Sequence, residues 1–345
     1  MKSYAATGLR RGFAAGLVGL AALALAACAP SGGSPGPAPS TGETSAGLPD
    51  GVCEPTTVRL VLGTVGTEPV WVGQEQGIFK KHGLDVELVP GGNSAEIVAA
   101  LVADQADIAP VGGVPIIQAA AQGLGLKAFL GSLTGPPEPV TSGIVALPDS
   151  GIHGWADLKG KTIGLQGTHD TTHLATLLGL ATVGLKESDV TIVQLPLANL
   201  TDAVLSKQID VAYLIGATFD PAIAKGLVLV ANPAKDVIPY VPAVNYSAKD
   251  SWLKANEATA RCFQAALIEA NTLALADDAK LIRQARVDHN KTDPAVAAAA
   301  TISGYETDIS VNGFKILVDG MTEFDFIDKP VTLDDVLSPI TPTRD

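Results

Sequence analysis

Three sets of residues in this chain have types and spacings suited to chemistry. Cys28 closes the run Leu25-Ala26-Ala27-Cys28, a lipobox, in which small residues precede a thiol that is exposed by cleavage and then lipidated. His169 and His173 stand four apart in His-Asp-Thr-Thr-His at a predicted helix start, so both imidazoles share one helix face, a spacing able to hold zinc. Asp170 is shorter than the glutamate of a metalloprotease helix and no third ligand is evident, so no metal is expected. His169 is read instead as a ligand contact and His173 as packing, with Asp170 or Thr168 as an alternative helix cap. The third set is a series of glycines and small hydroxyls that recur wherever a predicted strand ends.

The first set fixes an address. Lys2, Arg10 and Arg11 form a positive segment, and Gly12 to Ala27 is a charge-free run of 16 residues. That is shorter than the roughly 20 needed to span a bilayer, so residues 1–27 read as a lipoprotein signal peptide. Arg10-Arg11-Gly12-Phe13 leaves the twin-arginine route open beside the general one. Residues 28–55, dominated at first by Ser, Gly, Pro and Thr, read as a disordered tether. Export removes three basic and no acidic residues, leaving 20 against 36, a balance of −16. Such a surface suits neither nucleic acid nor anionic lipid, so the expected membrane link is the lipid alone. With Cys28 lipidated, Cys53 and Cys262 remain. Outside the cytoplasm they are expected to pair as a disulfide, the alternative being two separate buried thiols.

The elements that must position the other two sets alternate in type. Val58–Leu62 reads as a strand, Pro69–His82 as a helix, Leu84–Val89 as an alternating strand and Ala95–Ala103 as a helix. Ile108–Val111, Val114–Gln122, Lys127–Gly131 and Gly143–Ala146 continue the series, and from Gly160 the same grammar begins again. The second series holds strands at Thr162–Leu165, Val190–Gln194, Val211–Leu214 and Val228–Val230, with helices at Asp170–Val183, Leu200–Ser206 and Asp220–Lys225. Two such series in tandem predict two α/β lobes with mostly parallel sheets flanked by helices. The octapeptides Ala100–Asp107 and Ala203–Asp210 resemble each other: in each a helix ends, Gln sits in the turn and Asp precedes a strand. From Ala248 onward the chain reads as mostly helical, with Asn256–Ala276 the longest helix.

Ligands of open parallel sheets bind beyond the carboxyl ends of the strands. Those ends supply Thr64 and Thr67, then Gly92, Asn93 and Ser94, then Gly112 and Gly113; in the second lobe they supply Thr168, His169 and Asp170, then Gly216. Glycine allows backbone N–H groups to approach a ligand, and several of these loops lead into helix N-termini with free donors. Ordinary βα turns favour the same residues. No lysine or arginine falls in these loops, so an anion would be held by dipoles and hydroxyls, and a neutral ligand stays open. Trp71 and Phe219 are placed either to stack on a ring or to pack in the core.

Several segments carry a family resemblance in order. Gly77-Ile78-Phe79-Lys80-Lys81-His82-Gly83-Leu84-Asp85-Val86-Glu87 resembles the G-x-F-x-x-x-G-L-D-V-E signature of extracellular solute-binding proteins of the nitrate, sulfonate and taurine type, a group that also takes in pyrimidine-precursor binders. Asp157–Gly164 and Gly184–Val190 are similar to that group's second-lobe opening and its G-L-x-x-x-D-V turn, and Phe219-Asp220-Pro221 to its aromatic-acidic-Pro motif. The resemblance runs from about Val58 to about Ala276. It implies a periplasmic-binding-protein-like fold of type II: one lobe from residues 56–142 and 243–345, the other from 143–242, joined by two chain crossings. It further implies capture of a small molecule for an ABC permease, with no cofactor and no catalysis; a surface sensor that passes ligand binding to a signalling partner is the alternative. Fungal pyrimidine synthases share the fold family but rely on a Cys-rich iron motif, and this chain has three cysteines in all, widely separated.

Overall fold

The computed structural model describes residues 52–63, 66–92 and 94–345. Cys28, the expected signal peptide, residues 28–51 of the expected tether, Thr64 and Asn93 lie outside the described residues.

Two sheets share one plan. In the first, β1 (Thr56–Val61), β2 (Leu84–Val89), β3 (Ala109–Val111) and β4 (Leu126–Gly135) run in one direction. In the second, β5 (Ser142–Ala146) lies antiparallel to its neighbours, while β6 (Thr162–Leu165), β7 (Thr191–Gln194), β8 (Val211–Ile215) and β9 (Val228–Ala231) run together. Its order is β7-β6-β8-β5-β9. The first sheet is completed by a late strand, β10 (Val241–Lys249), which lies antiparallel between β3 and β4. The β1-β2 and β3-β10-β4 pairings of the first lobe are linked by a parallel bridge between Leu60 and Ile108, and across that bridge the strands follow the order of the second sheet: second, first, third, antiparallel, fourth. The two crossings occupy residues 136–141 and 232–240, and Asn232 Nδ2 donates to the Pro137 carbonyl at 3.1 Å between them. β10 was not foreseen in the sequence: Val241–Lys249 pairs on both sides and is mostly buried, so it lacks the alternation that marks an edge strand.

The helices are α1 (Glu68–Glu75), α2 (Ile78–Lys81), α3 (Ser94–Val102), α4 (Gly113–Ala121), α5 (Thr171–Thr182), α6 (Leu197–Leu205), α7 (Phe219–Ala224), α8 (Pro233–Asp236), α9 (Asp250–Ala255), α10 (Glu257–Asp288), α11 (Pro294–Ala299), α12 (Val311–Glu323) and α13 (Leu333–Val336). The single helix predicted over Pro69–His82 is two, because Gly77 adopts φ +68, a left-handed conformation that ends α1. α10 is broken at Ala276–Ala279, where Asp277, Asp278 and Ala279 take φ of +49, +55 and +53. The break begins where the predicted helix ended.

The internal repeat has a shared structure. Asp107 Oδ2 accepts from the Arg59 backbone N–H at 2.8 Å, and Asp210 Oδ2 accepts from the Thr162 N–H at 2.8 Å. In both copies the helix closes on a left-handed residue, Asp104 or Lys207, and the following Gln N–H bonds back to a helix carbonyl at 2.9 Å. The aspartate thus satisfies an N–H at the first strand of each sheet just before the chain enters the third.

One apolar cluster runs through both lobes. It includes Val111, Ile117 and Leu126 around the first sheet and Ile163, Leu165 and Tyr213 in the second, with Phe314 and Leu317 of α12. Leu60, Phe79, Phe129 and Phe263 fill the other face of the first lobe. Each such side chain contributes about 1.5–3 kcal/mol by leaving water. Cys53, just before β1, is bonded to Cys262 on α10 with a Cα–Cα distance of 6.0 Å. Among the described residues no helix is long and apolar enough to cross a membrane.

Candidate ligand-binding cleft

The strand-end loops that the sequence singles out have distinct fates. Thr67 is buried and ends the β1 loop, its carbonyl accepting from the Val70 N–H at 2.9 Å. Ser132 of β4 steadies the same loop, its Oγ donating to the Gly66 carbonyl at 3.0 Å. Gly92 is half-buried and Ser94, which opens α3, is exposed. Gly112 is extended at the start of α4. Gly113 is buried, and a Cβ there would lie 2.6 Å from Leu317 Cδ1 and 2.8 Å from the Pro242 carbonyl. Its lack of a side chain lets α4 pack tightly against β10 and α12.

In the second lobe the β6–α5 loop is knitted together. Asp170 Oδ1 accepts from Thr172 Oγ1 at 2.7 Å and from the His173 N–H at 2.9 Å, capping α5. The His169 N–H donates to His173 Nδ1 at 3.1 Å, so neutral His173 carries its proton on Nε2, which faces Glu187 Oε1 at 3.3 Å. Burial holds His173 below the ordinary histidine value and neighbouring His169 adds to this, while Glu187 and Asp170 oppose it. His169 is exposed, at φ +59, and Thr168 beside it is exposed as well. Phe326, beyond α12, lies against both imidazoles, with ring centroids 4.8 Å from His169 and 5.3 Å from His173. Gly216 follows β8 at φ +52, and Phe219 is buried with Leu214, Leu200 and Val204 in that lobe's own core.

The two lobes meet at the His169 loop and at the start of α7. Gln118 Nε2 of α4 donates to the His169 carbonyl at 3.2 Å. The Thr301 N–H donates to Asp220 Oδ2 at 3.3 Å, joining the segment after α11 to the start of α7. The chain from Gly304 to Thr307 runs beside β4, with backbone bonds Thr134 N–H to Gly304 O and Gly131 N–H to Thr307 O, both 2.8 Å.

The tertiary structure also brings a cation to the start of α1, where the loops had none. Arg286 Nε donates to Glu68 Oε1 at 2.9 Å and its Nη2 to Tyr305 Oη at 3.0 Å. Burial works against the Arg286 charge, but Tyr305 and Glu68 outweigh it and hold its pKa above the ordinary arginine value. Burial pushes the Tyr305 hydroxyl up, and the Glu68 charge adds to it. One turn along, Trp71 lies against His289. Sequence reasoning missed Arg286 and Tyr305 because 218 positions separate Arg286 from Glu68 and no local pattern marks either. Glu68, an acid directly after the β1 loop, was the available signal.

Residues 66–280 match the family described as NMT1/THI5 like. The chain belongs to the NMT1/THI5-like family. This NMT1/THI5-like chain is similar to 4-amino-5-hydroxymethyl-2-methylpyrimidine phosphate synthase of Schizosaccharomyces pombe, 27% identical over 169 residues that cover 49% of this chain and 47% of the synthase. It is also similar to Bacillus subtilis YtlA, named as a candidate binding protein, 27% identical over 242 residues that cover 69% and 72% of the two chains. It spans about half the length of the first curated relatives it matches. Among solved structures it is similar to the periplasmic aliphatic sulphonate binding protein SsuA from Escherichia coli, with a TM-score of 0.71, 19% identity, and 85% of this chain and 95% of that one covered. The NMT1/THI5-like chain therefore has the two-lobed, periplasmic-binding-protein-like α/β fold.

Proposed function

We propose that this chain is the solute-binding component of an ABC importer. It captures a small sulfonate-, nitrate- or taurine-like molecule between a lobe of residues 56–142 and 243–345 and a lobe of residues 143–242, and delivers it to the permease. Lipid on Cys28 holds it at the extracytoplasmic face. The observation that carries this reading is the pair of strand sets of one order, joined by two crossings, with Gln118 of α4 reaching the His169 carbonyl in the β6–α5 loop and Thr301 reaching Asp220 of α7. Two such bodies on a short double connection can hinge, and a ligand bound by both favours the closed state. We assign the chain no reaction: Asp170, Thr172 and His173 are engaged in capping α5, and His173 is 3% exposed.

A second reading, a neutral pyrimidine precursor as ligand, is supported by the absence of lysine and arginine from the strand-end loops themselves. Thermal-shift titration of the full chain with ethanesulfonate, taurine, nitrate and 4-amino-5-hydroxymethyl-2-methylpyrimidine tests both. A saturable rise in Tm with one of them, with contraction in small-angle scattering, supports a receptor. A flat response to all four counts against it.

A further inference from the structure

Beyond the α1 break the fold places a buried ion pair at the cleft end of the first lobe. Cys53, which precedes the N-terminus of β1, is tied to Cys262 near the start of α10. Glu68, which follows the C-terminal loop of β1, is tied to Arg286 near the end of α10. α10 thus carries the chain from the far side of the sheet to the side where the strand-end loops lie. After Arg286 the chain continues to Thr301, which touches Asp220 of the second lobe, and to Tyr305, which returns to Arg286. Tyr305, four residues past Thr301, ties Arg286 to the segment that makes this contact between the lobes.

The hydrogen bonding of this group is incomplete on both its acid and its base. Glu68 is 4% exposed, and its Oε2 is buried without a partner. Tyr305 is 6% exposed. Arg286 uses Nε on Glu68 and Nη2 on Tyr305; its Nη1 meets no acceptor among the described residues, and the side chain keeps 22% of its surface. A buried ion pair is a poor stabiliser compared with apolar side chains of the same volume. It does fix a guanidinium, whose remaining N–H fork then points in one direction with its rotamer entropy already lost. A planar fork suits the oxygens of a sulfonate or carboxylate. The Glu68 charge leaves the empty site near neutral, so one added anion is not set against a strong field of its own sign.

We infer that Arg286 is the ligand-recognising cation of this cleft, its Nη1 donating to an oxygen of a sulfonate or carboxylate on the ligand while Glu68 and Tyr305 hold the guanidinium in place. This rests on the receptor reading and narrows it to an anionic solute. It also revises the expectation that an anion would be held by dipoles and hydroxyls alone.

The test is calorimetric titration of the full chain with ethanesulfonate and with 4-amino-5-hydroxymethyl-2-methylpyrimidine, in the wild type, R286K and the double variant E68Q/R286M. The double variant removes both charges of the pair together, so that it keeps its fold where a single deletion strands the buried Glu68 carboxylate. Wild-type binding of ethanesulfonate, weakened about tenfold or more in both variants with far-ultraviolet circular dichroism unchanged, supports the assignment. Ethanesulfonate binding that is equal in all three proteins overturns it and leaves the receptor reading standing. Binding of the pyrimidine alone does the same. No binding of either ligand by the wild type overturns the assignment and counts against the receptor reading as well.

Discussion

Trp71 and His289 lie face to face, ring centroids 3.9 Å apart and planes 4° from parallel, and His289 Nε2 meets Glu75 Oε1 at 2.8 Å. Residues three apart on α1, Glu68 and Trp71, thereby meet residues three apart near the end of α10, Arg286 and His289. The ring face that a planar ligand would need on this side of Trp71 is already covered. H289A is expected to cost about 0.5–1.5 kcal/mol, the worth of an aromatic pair, and to change Trp71 emission. Urea denaturation followed by tryptophan fluorescence measures both; an unchanged spectrum would show that the stack is absent in solution.

The Glu68–Arg286 pair should be costly to break on one side only. R286A leaves a 4% exposed carboxylate without its cation and is expected to lose about 3–5 kcal/mol. E68Q/R286M should recover most of that loss. Chemical denaturation of the two proteins checks the contrast, and equal losses would mean that the pair is not buried.

His173 makes stability depend on pH. Its folded pKa is held below the ordinary 6.5, chiefly by burial, so in the interval between the two values the unfolded chain binds more protons than the folded one. Stability is then full above about pH 6.5 and declines as pH falls below it. The slope of Tm between pH 7 and pH 5 should flatten in H173N. A variant slope as steep as the wild type's would assign the acid sensitivity to other groups.

Reducing the bridge between Cys53 and Cys262 releases a loop of 209 positions. The chain-entropy model gives about 5 kcal/mol for a loop of that length, and native bridges typically contribute about 2–5 kcal/mol. The protein should therefore melt markedly lower in dithiothreitol, and C53S/C262S should melt low with or without it. A Tm indifferent to reductant in the wild type would contradict the bridge.

Gly113 tests whether packing or ligand access governs α4. G113A brings a methyl within 2.8 Å of the Pro242 carbonyl, a backbone atom that cannot step aside, so overpacking should cost about 1–3 kcal/mol. A stability equal to wild type, read by the urea midpoint, would show that β10 yields more easily than its place between β3 and β4 suggests.

The alternation of β-branched runs with helical patterns was sufficient to predict two α/β lobes, since period and turn residues are local properties of a chain. The matched octapeptides ending at Asp107 and Asp210 were legible for the same reason, and each aspartate does the same job in its own sheet. The pairing of Cys53 with Cys262 followed from counting thiols in a chain whose leader reads as an export signal. What the sequence could not show was decided by contacts between distant segments. β10 looks like a loop exit until it is seen between two strands, and Gly113 looks like a ligand loop until α12 is packed on it. Phe219 joins the core only because α7 folds onto its own sheet. Arg286 acquires meaning at the start of α1 because a broken helix brings it there and the returning segment at Tyr305 holds it, and no spacing rule connects residues so far apart. Local patterns set which elements form; burial and charge pairing across the finished fold set which side chains are packed away and which are left beside the strand-end loops.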